Sequence, residues 1–242
     1  MLNKNISLFH IPHSSIHIPD TTGYVIDTTN EIIKLTDWAT DLIFEVNDVK
    51  SVRTPFNRIF CDVERFNSDK EHMNYYGRGV IYTKTEDGND LRTIYNKDFI
   101  INLYNKHHNK LTKNVEKKLK KYDEALIIDC HSFPNIPISG EVGNSDIRPD
   151  ICIGFSELNY NEKYTNIIIN HFKNNGYSVS VNEPFSGSIV PLKYIGNNYV
   201  SSVMIEINRK LYMDDNNNII TKNVINLNRL INDLFNRVKT RN

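Results

Sequence analysis

The chain has 242 residues and a mass of 28.2 kDa, enough for one large domain whose own core makes disulfides or a structural metal unnecessary for folding. Lysine plus arginine number 29 and aspartate plus glutamate number 29, so there is no basic excess of the kind a nucleic-acid binder carries. No run approaches the roughly 18 apolar residues of a membrane-spanning helix, no secretory apolar segment follows Lys4, and Cys61, Cys130 and Cys152 lie in apolar runs that read as reduced and buried, which favours the cytosol.

In chain order, Ser7–Pro12 reads as a first strand. Thr28–Asn47 reads as a helix, because Ile32, Leu35, Trp38, Leu42 and Val46 recur at helical spacing. Arg58–Val63 and Gly79–Thr83 are short strand candidates, and Asp90–Tyr122 is mostly helix. Ala125–Cys130 is an unbroken apolar run, as expected of a strand covered on both faces. A strand at Ile151–Phe155, a helix at Tyr160–Asn175 that stops before Gly176, strands at Tyr177–Val181 and Tyr199–Ile207, and a closing amphipathic helix at Thr221–Val238 complete the pattern. Strands alternating with helices predict a single α/β domain over residues 1–242, with a mixed, mostly parallel sheet flanked by helices. Ligands of such sheets sit beyond the carboxyl ends of the strands.

Polar residues gather at those ends. His13 follows the first strand and His131 follows Leu126–Cys130, and a neutral imidazole in either place suits a metal. Asp129, two residues before His131, lies on the same side of the pleat and can orient it. Asp37 and Asp41, four residues apart on one helix, would share a face. Arg58 and Arg65 flank Asp62 and Glu64, and form either a clamp for an acidic substrate or internal ion pairs. Glu206, between two isoleucines in a strand, would have its pKa raised by burial, as a general base near neutrality requires, and Asn208 and Arg209 continue the polar cluster. Gly187 allows the backbone of Pro184–Ser188 to approach a ligand closely, and His108 is a further polar contact on the long helix. No Gly-x-Ser-x-Gly elbow, phosphate loop or Cys-x-x-Cys pair is present. Each residue taken alone also has an ordinary structural reading, as a loop histidine, a surface acid or an outward-facing carboxylate.

Taken together and in order, Pro12-His-Ser-Ser with Ile18-Pro, Thr36-Asp-Trp-Ala-Thr-Asp-Leu, Asn57-Arg-Ile-Phe-Cys-Asp-Val-Glu-Arg65, His108 with Leu111, Ile128-Asp-Cys-His-Ser132, Asn182-Glu-Pro-Phe-Ser-Gly-Ser188 and Met204-Ile-Glu-Ile-Asn-Arg-Lys-Leu-Tyr212 resemble the N-formylglutamate amidohydrolase family. That family is similar to the zinc carboxypeptidases, which implies a phosphorylase/hydrolase-like α/β domain with Zn2+. The resemblance implies His13 and His131 as zinc imidazoles and Glu206 as general base. Ile16 stands where the carboxypeptidase pattern has its ligand glutamate, so Asp37 or Asp41 supplies the carboxylate. Arg58 and Arg65 match the family's substrate-carboxylate arginines. The implied mechanism would have Arg58 stabilise the oxyanion and Arg65 hold the carboxylate, with Glu64, Gly187, Ser188, Asn208 and His108 around the substrate and Glu64 standing where the family usually has asparagine. The implied partner is a small N-acyl amino acid, with no nucleic acid or membrane involved. A peptide-cleaving zinc hydrolase and a metal-free binding domain on the same scaffold are the alternatives.

Overall fold

A computed structural model describes residues 1–137 and 148–236. Six strands form one sheet: β1 (Ser7–Ile11), β2 (Lys50–Arg53), β3 (Ala125–Phe133), β4 (Ile151–Gly154), β5 (Val179–Val181) and β6 (Val200–Asn208), in the order β2-β1-β3-β6-β4-β5. β1, β2, β3 and β6 run parallel, while β4 pairs antiparallel with β6 and parallel with β5. The sheet is mixed and mostly parallel, as the alternation of strands and helices predicts. β3 and β6 are buried along their whole lengths, which is why their sequences are nearly continuous apolar runs.

The two faces of the sheet differ by residue parity. On one face Phe9, Ile11, Ile128, Cys130, Ile205 and Ile207 pack into the main core under α4 (Glu162–Asn174) and α5 (Thr221–Asp233). On the other, Leu8, Ile127 and Val200 meet Leu111 and Val115 of α3 (Lys97–Tyr122). Farther along the strands, this second face changes from apolar to polar: His10, Asp129, His131 and Glu206 follow in place of aliphatic side chains. Parallel register sets His10 beside Asp129, and His131 beside Glu206. The polar end of that face is the floor of the candidate site.

Three sequence expectations fail for local reasons. Thr28–Asn47 is two short helices, α1 (Thr29–Leu35) and α2 (Thr40–Ile43). Thr36 is extended and Ala39 has a φ of 58°, and the Asp37 amide is spent on the His13 carbonyl at 3.0 Å. The Arg58–Val63 segment is a series of turns, because the Asn57 side chain accepts from the Ile59 amide while donating to the Ser15 carbonyl and the Thr36 hydroxyl. Gly79–Thr83 contributes only a bridge between Arg78 and Tyr82. β2, at Lys50–Arg53, carries no apolar run and so leaves no trace in the periodicity. The long helix occupies Lys97–Tyr122 of the segment expected to be mostly helix, and the closing helix ends at Asp233, before the expected Val238, which itself lies outside the described residues. All three cysteines are buried and unpaired. Among the described residues no helix is long and apolar enough to cross a membrane.

Candidate metal and active site

Three chain segments meet where β1 and β3 end. His13 follows β1, Asp37 sits in the break between α1 and α2, and His131 is on β3. Their ligand atoms lie within 4.8 Å of one another, and all three residues are buried. The Asp37 Oδ2 atom is 3.0 Å from His131 Nδ1 and 3.6 Å from His13 Nδ1. Burial alone would raise the Asp37 carboxyl, but the two imidazoles outweigh it and hold Asp37 well below the usual carboxylate range. Its other oxygen faces the Arg209 guanidinium at 3.3 Å, so one oxygen is oriented by arginine and the second turns toward the histidines.

The far nitrogens of both rings face carboxylates, and that of His13 is hydrogen-bonded to one. His13 Nε2 lies 2.9 Å from Asp62 Oδ1. His131 Nε2 lies 3.2 Å from both Asp129 Oδ1 and Glu64 Oε2. At His13 the carboxylate holds the proton on Nε2 and leaves the Nδ1 lone pair for a cation, whereas His131 hydrogen-bonds Asp37 through Nδ1 and its Nε2 makes no hydrogen bond. His13 Nδ1 has no hydrogen-bond partner although it is buried, and an orphaned imidazole nitrogen beside a carboxylate and a second imidazole is what a metal would satisfy. Two imidazoles and one carboxylate are a donor set that catalytic zinc accepts, with a fourth position left open. The residues present therefore fit the ion that the resemblance implies.

Behind this group lies a second cluster that the sequence reading did not find. His10 Nδ1 contacts Asp129 Oδ1 at 2.7 Å and Glu64 Oε1 at 3.4 Å, and its Nε2 lies 2.8 Å from His107 Nε2. His107 in turn meets the Thr54 hydroxyl. Burial opposes a charged His10, but the Asp129 and Glu64 carboxylates overcome it and push His10 up to about 9. The 2.7 Å separation is that of a hydrogen bond; atoms sharing one ion with bonds of roughly 2.1 Å sit farther apart. This layer fixes Asp129 and Glu64 behind His131.

The open side of the metal group is a cavity of about 340 Å³ lined by His13, Arg58, Glu64, Arg65, His131 and Glu206, with Arg78, Tyr82 and Phe185 among its other walls. Glu206 Oε2 is buried without a partner, and burial lifts its carboxyl to about 8. Asp62 joins the arginine wall to the metal group: besides His13 it takes Arg58 Nη2 at 2.8 Å, the Tyr82 hydroxyl at 2.9 Å and, more distantly, Arg65 Nε at 3.7 Å. Arg58 and Arg65 therefore pair internally, through Asp62, and both also line the cavity. A larger surface groove of about 550 Å³ beside Phe66, Asp69 and Lys97 holds no imidazole.

Five of the expected site residues fall elsewhere: Asp41, Asn208, His108, Gly187 and Ser188. Asp41 is on the far side of the helix break, partly exposed, with Arg53 as its neighbour at 3.9 Å, and it is Asp37 that groups with His13 and His131. Asn208 caps a turn by accepting from the Lys210 amide and donates to the Pro149 carbonyl. His108 is spent on the Val63 carbonyl. Ser188 is paired with Ser202, and the Pro184–Ser188 loop lines the cavity through Pro184, Phe185 and Ser186, while the carbonyl of Gly187 packs on Gly154. Glu64 lines the cavity but directs its carboxylate at His10 and His131, not at the arginines. Asp62, His10 and Arg78 are the site residues that sequence reasoning missed as such, while Arg209 was expected only as part of the polar cluster after Glu206. Asp62 carried a signal, lying between two arginines, but its imidazole partner could not be read from spacing. Replacing Asp62 with asparagine is expected to weaken zinc affinity by about 10–100-fold, measured by competition with a chromophoric chelator.

A sequence model described as N-formylglutamate amidohydrolase matches residues 7–213. Among solved structures, an N-formylglutamate amidohydrolase from Ralstonia eutropha JMP134 superposes with a TM-score of 0.81 at 19% identity, covering 95% of this chain and 91% of that one. A gene product of Agrobacterium tumefaciens superposes with a TM-score of 0.65 at 16% identity, covering 95% of this chain and 90% of that one. No curated protein matches the chain.

Proposed function

The chain belongs to the N-formylglutamate amidohydrolase family, and from that membership we propose a zinc-dependent amidohydrolase that cleaves the amide bond of an N-formyl or related N-acyl amino acid. His13, Asp37 and His131 hold the ion, and Glu206 and Arg58 act on the reacting atoms. One observation carries this reading: two buried imidazoles whose outer nitrogens face carboxylates, and whose inner nitrogens face Asp37, on the wall of a cavity that also contains an unpartnered buried glutamate.

When bound, zinc supplies Lewis acidity that polarises the acyl carbonyl and acidifies water. Glu206 is the proton carrier. Its carboxylate takes a proton from the attacking water and delivers it to the leaving amine nitrogen, so that a formyl substrate yields formate and the free amino acid. A carboxyl lifted by burial suits both halves of that task, because it is basic enough to accept and acidic enough to return the proton. Arg58 is held rigid by Asp62 through Nε and Nη2 and supplies positive charge where the carbonyl oxygen becomes anionic. Arg65, on the same wall, receives the substrate's carboxylate.

Zinc-loaded protein offered N-formylglutamate should release glutamate and formate in equal amounts, and short unblocked peptides should release nothing. Cleavage of the peptides with N-formylglutamate left intact would replace this reading with a peptidase, and no turnover of either would leave a binding domain.

A further inference from the structure

We propose that Arg78 is a specificity-determining residue, whose guanidinium takes one carboxylate of a small dicarboxylate ligand. The basic wall of the cavity has three arginines, Arg58, Arg65 and Arg78. Arg58 and Arg65 draw on one counter-ion, Asp62. Arg78 is only 8% exposed, yet among the described residues no carboxylate lies within ion-pairing distance of it and its side chain makes no hydrogen bond. Two other acids line the cavity. Glu64 lies within ion-pair distance of His10 and His131, and Glu206 stands beside His131 on the neighbouring strand β6. Three guanidiniums thus share one carboxylate, and the charge left over is what a ligand with two carboxylates would balance.

The loop that carries Arg78 is built to hold it there. The Arg78 amide donates to the Met73 carbonyl at 2.9 Å, and Gly77 adopts a φ of 65°. A Cβ at Gly79 would meet the Asn74 side-chain amide, which packs against the glycine there. Arg78 bridges to Tyr82, whose hydroxyl donates to Asp62, and the Asp62 amide donates to the Val80 carbonyl. The loop is therefore tied at both ends to the residue that orients Arg58. A guanidinium fixed this way offers a carboxylate two parallel N–H donors at little cost in ordering.

This rests on the amidohydrolase reading for the identity of the substrate, though not for binding itself. Two isosteric probes separate the two. Calorimetric titration of zinc-loaded protein with glutarate and with glutaramate, which has an amide in place of one carboxylate, should show glutarate bound about tenfold or more tightly by the wild type. Arg78→Gln should erase that preference, and Arg78→Lys should restore part of it. In turnover, the ratio of kcat/KM for N-formylglutamate over N-formylglutamine should fall by about tenfold or more in Arg78→Gln, chiefly through KM. A wild-type preference that survives in Arg78→Gln, or a wild type with no preference, overturns the role. If Arg78→Gln does not fold, Arg78→Lys decides: its preference should lie below wild type, and an unchanged one overturns the role. A wild type that binds glutarate as described but hydrolyses neither formyl substrate would defeat the hydrolase reading and leave the role of Arg78 intact.

Discussion

Glu206→Gln is expected to lower kcat on N-formylglutamate by about 10²–10⁴-fold while the protein still binds zinc and substrate. Glutamine has the same shape and can occupy the same place beside His131 as glutamate does, but it cannot accept the proton of the attacking water. The change also removes a buried carboxyl that has an unpartnered oxygen, so the variant should be at least as stable as the wild type. The pH profile carries a second signature. A general base works only when ionised, so activity is lost as pH falls through its pKa. Burial places that carboxyl at about 8 without a cation, and a divalent ion beside it favours the charged form and moves the acid limb lower. The residual activity of Glu206→Gln should lack that limb. Full activity in the variant would remove Glu206 from the chemistry.

His131→Ala is expected to cost both the metal and the activity, with a residual rate at least about 10³-fold below wild type, which is the combined loss of Lewis acidity and base alignment. The reason lies behind the ring. Asp129 and Glu64 are buried against His131 Nε2, so deleting the imidazole leaves two carboxylates with His10 as their one shared imidazole and only the Ile189 amide besides, on Asp129. The variant should also melt lower than metal-free wild type, because it loses a buried partner as well as the ion. Adding zinc should raise the thermal midpoint of the wild type and leave that of His131→Ala unmoved. A zinc-dependent rise of equal size in both would place the ion elsewhere.

The central strands and their terminal residues could be read from the sequence because burial on both faces demands apolar runs. Ala125–Cys130 and Tyr199–Ile207 have them, and the polar residues that interrupt or follow, His131 and Glu206, stand out by their cost. The edge strand Lys50–Arg53 has charged ends and little burial, so no pattern distinguishes it from a loop. Helical spacing misled at Asp37 and Asp41. It puts both acids on one face, whereas the break at Thr36–Ala39 turns the first inward and leaves the second near Arg53, and no glycine or proline marks that break. The turns at Arg58–Val63 depend on what the Asn57 side chain meets across the fold, which local sequence does not contain. The arginine wall was visible as a pair. The third member, Arg78, arrives on a loop whose approach to Asp62 exists only in three dimensions. His10 was hidden for a related reason: within a strand it looks like one polar residue among apolar neighbours, and its partners Asp129 and His107 lie more than 90 residues away.

Bound metal per chain, measured by inductively coupled plasma mass spectrometry on wild type, Asp37→Ala and Asp41→Ala purified side by side, tests the proposed centre most directly. One zinc per chain is predicted in the wild type and in Asp41→Ala, and less than about a tenth of that in Asp37→Ala, given that three protein ligands are the usual minimum for a catalytic site. Stoichiometric zinc retained by Asp37→Ala, or no zinc in wild type supplied with it, would contradict a metal held by His13, Asp37 and His131.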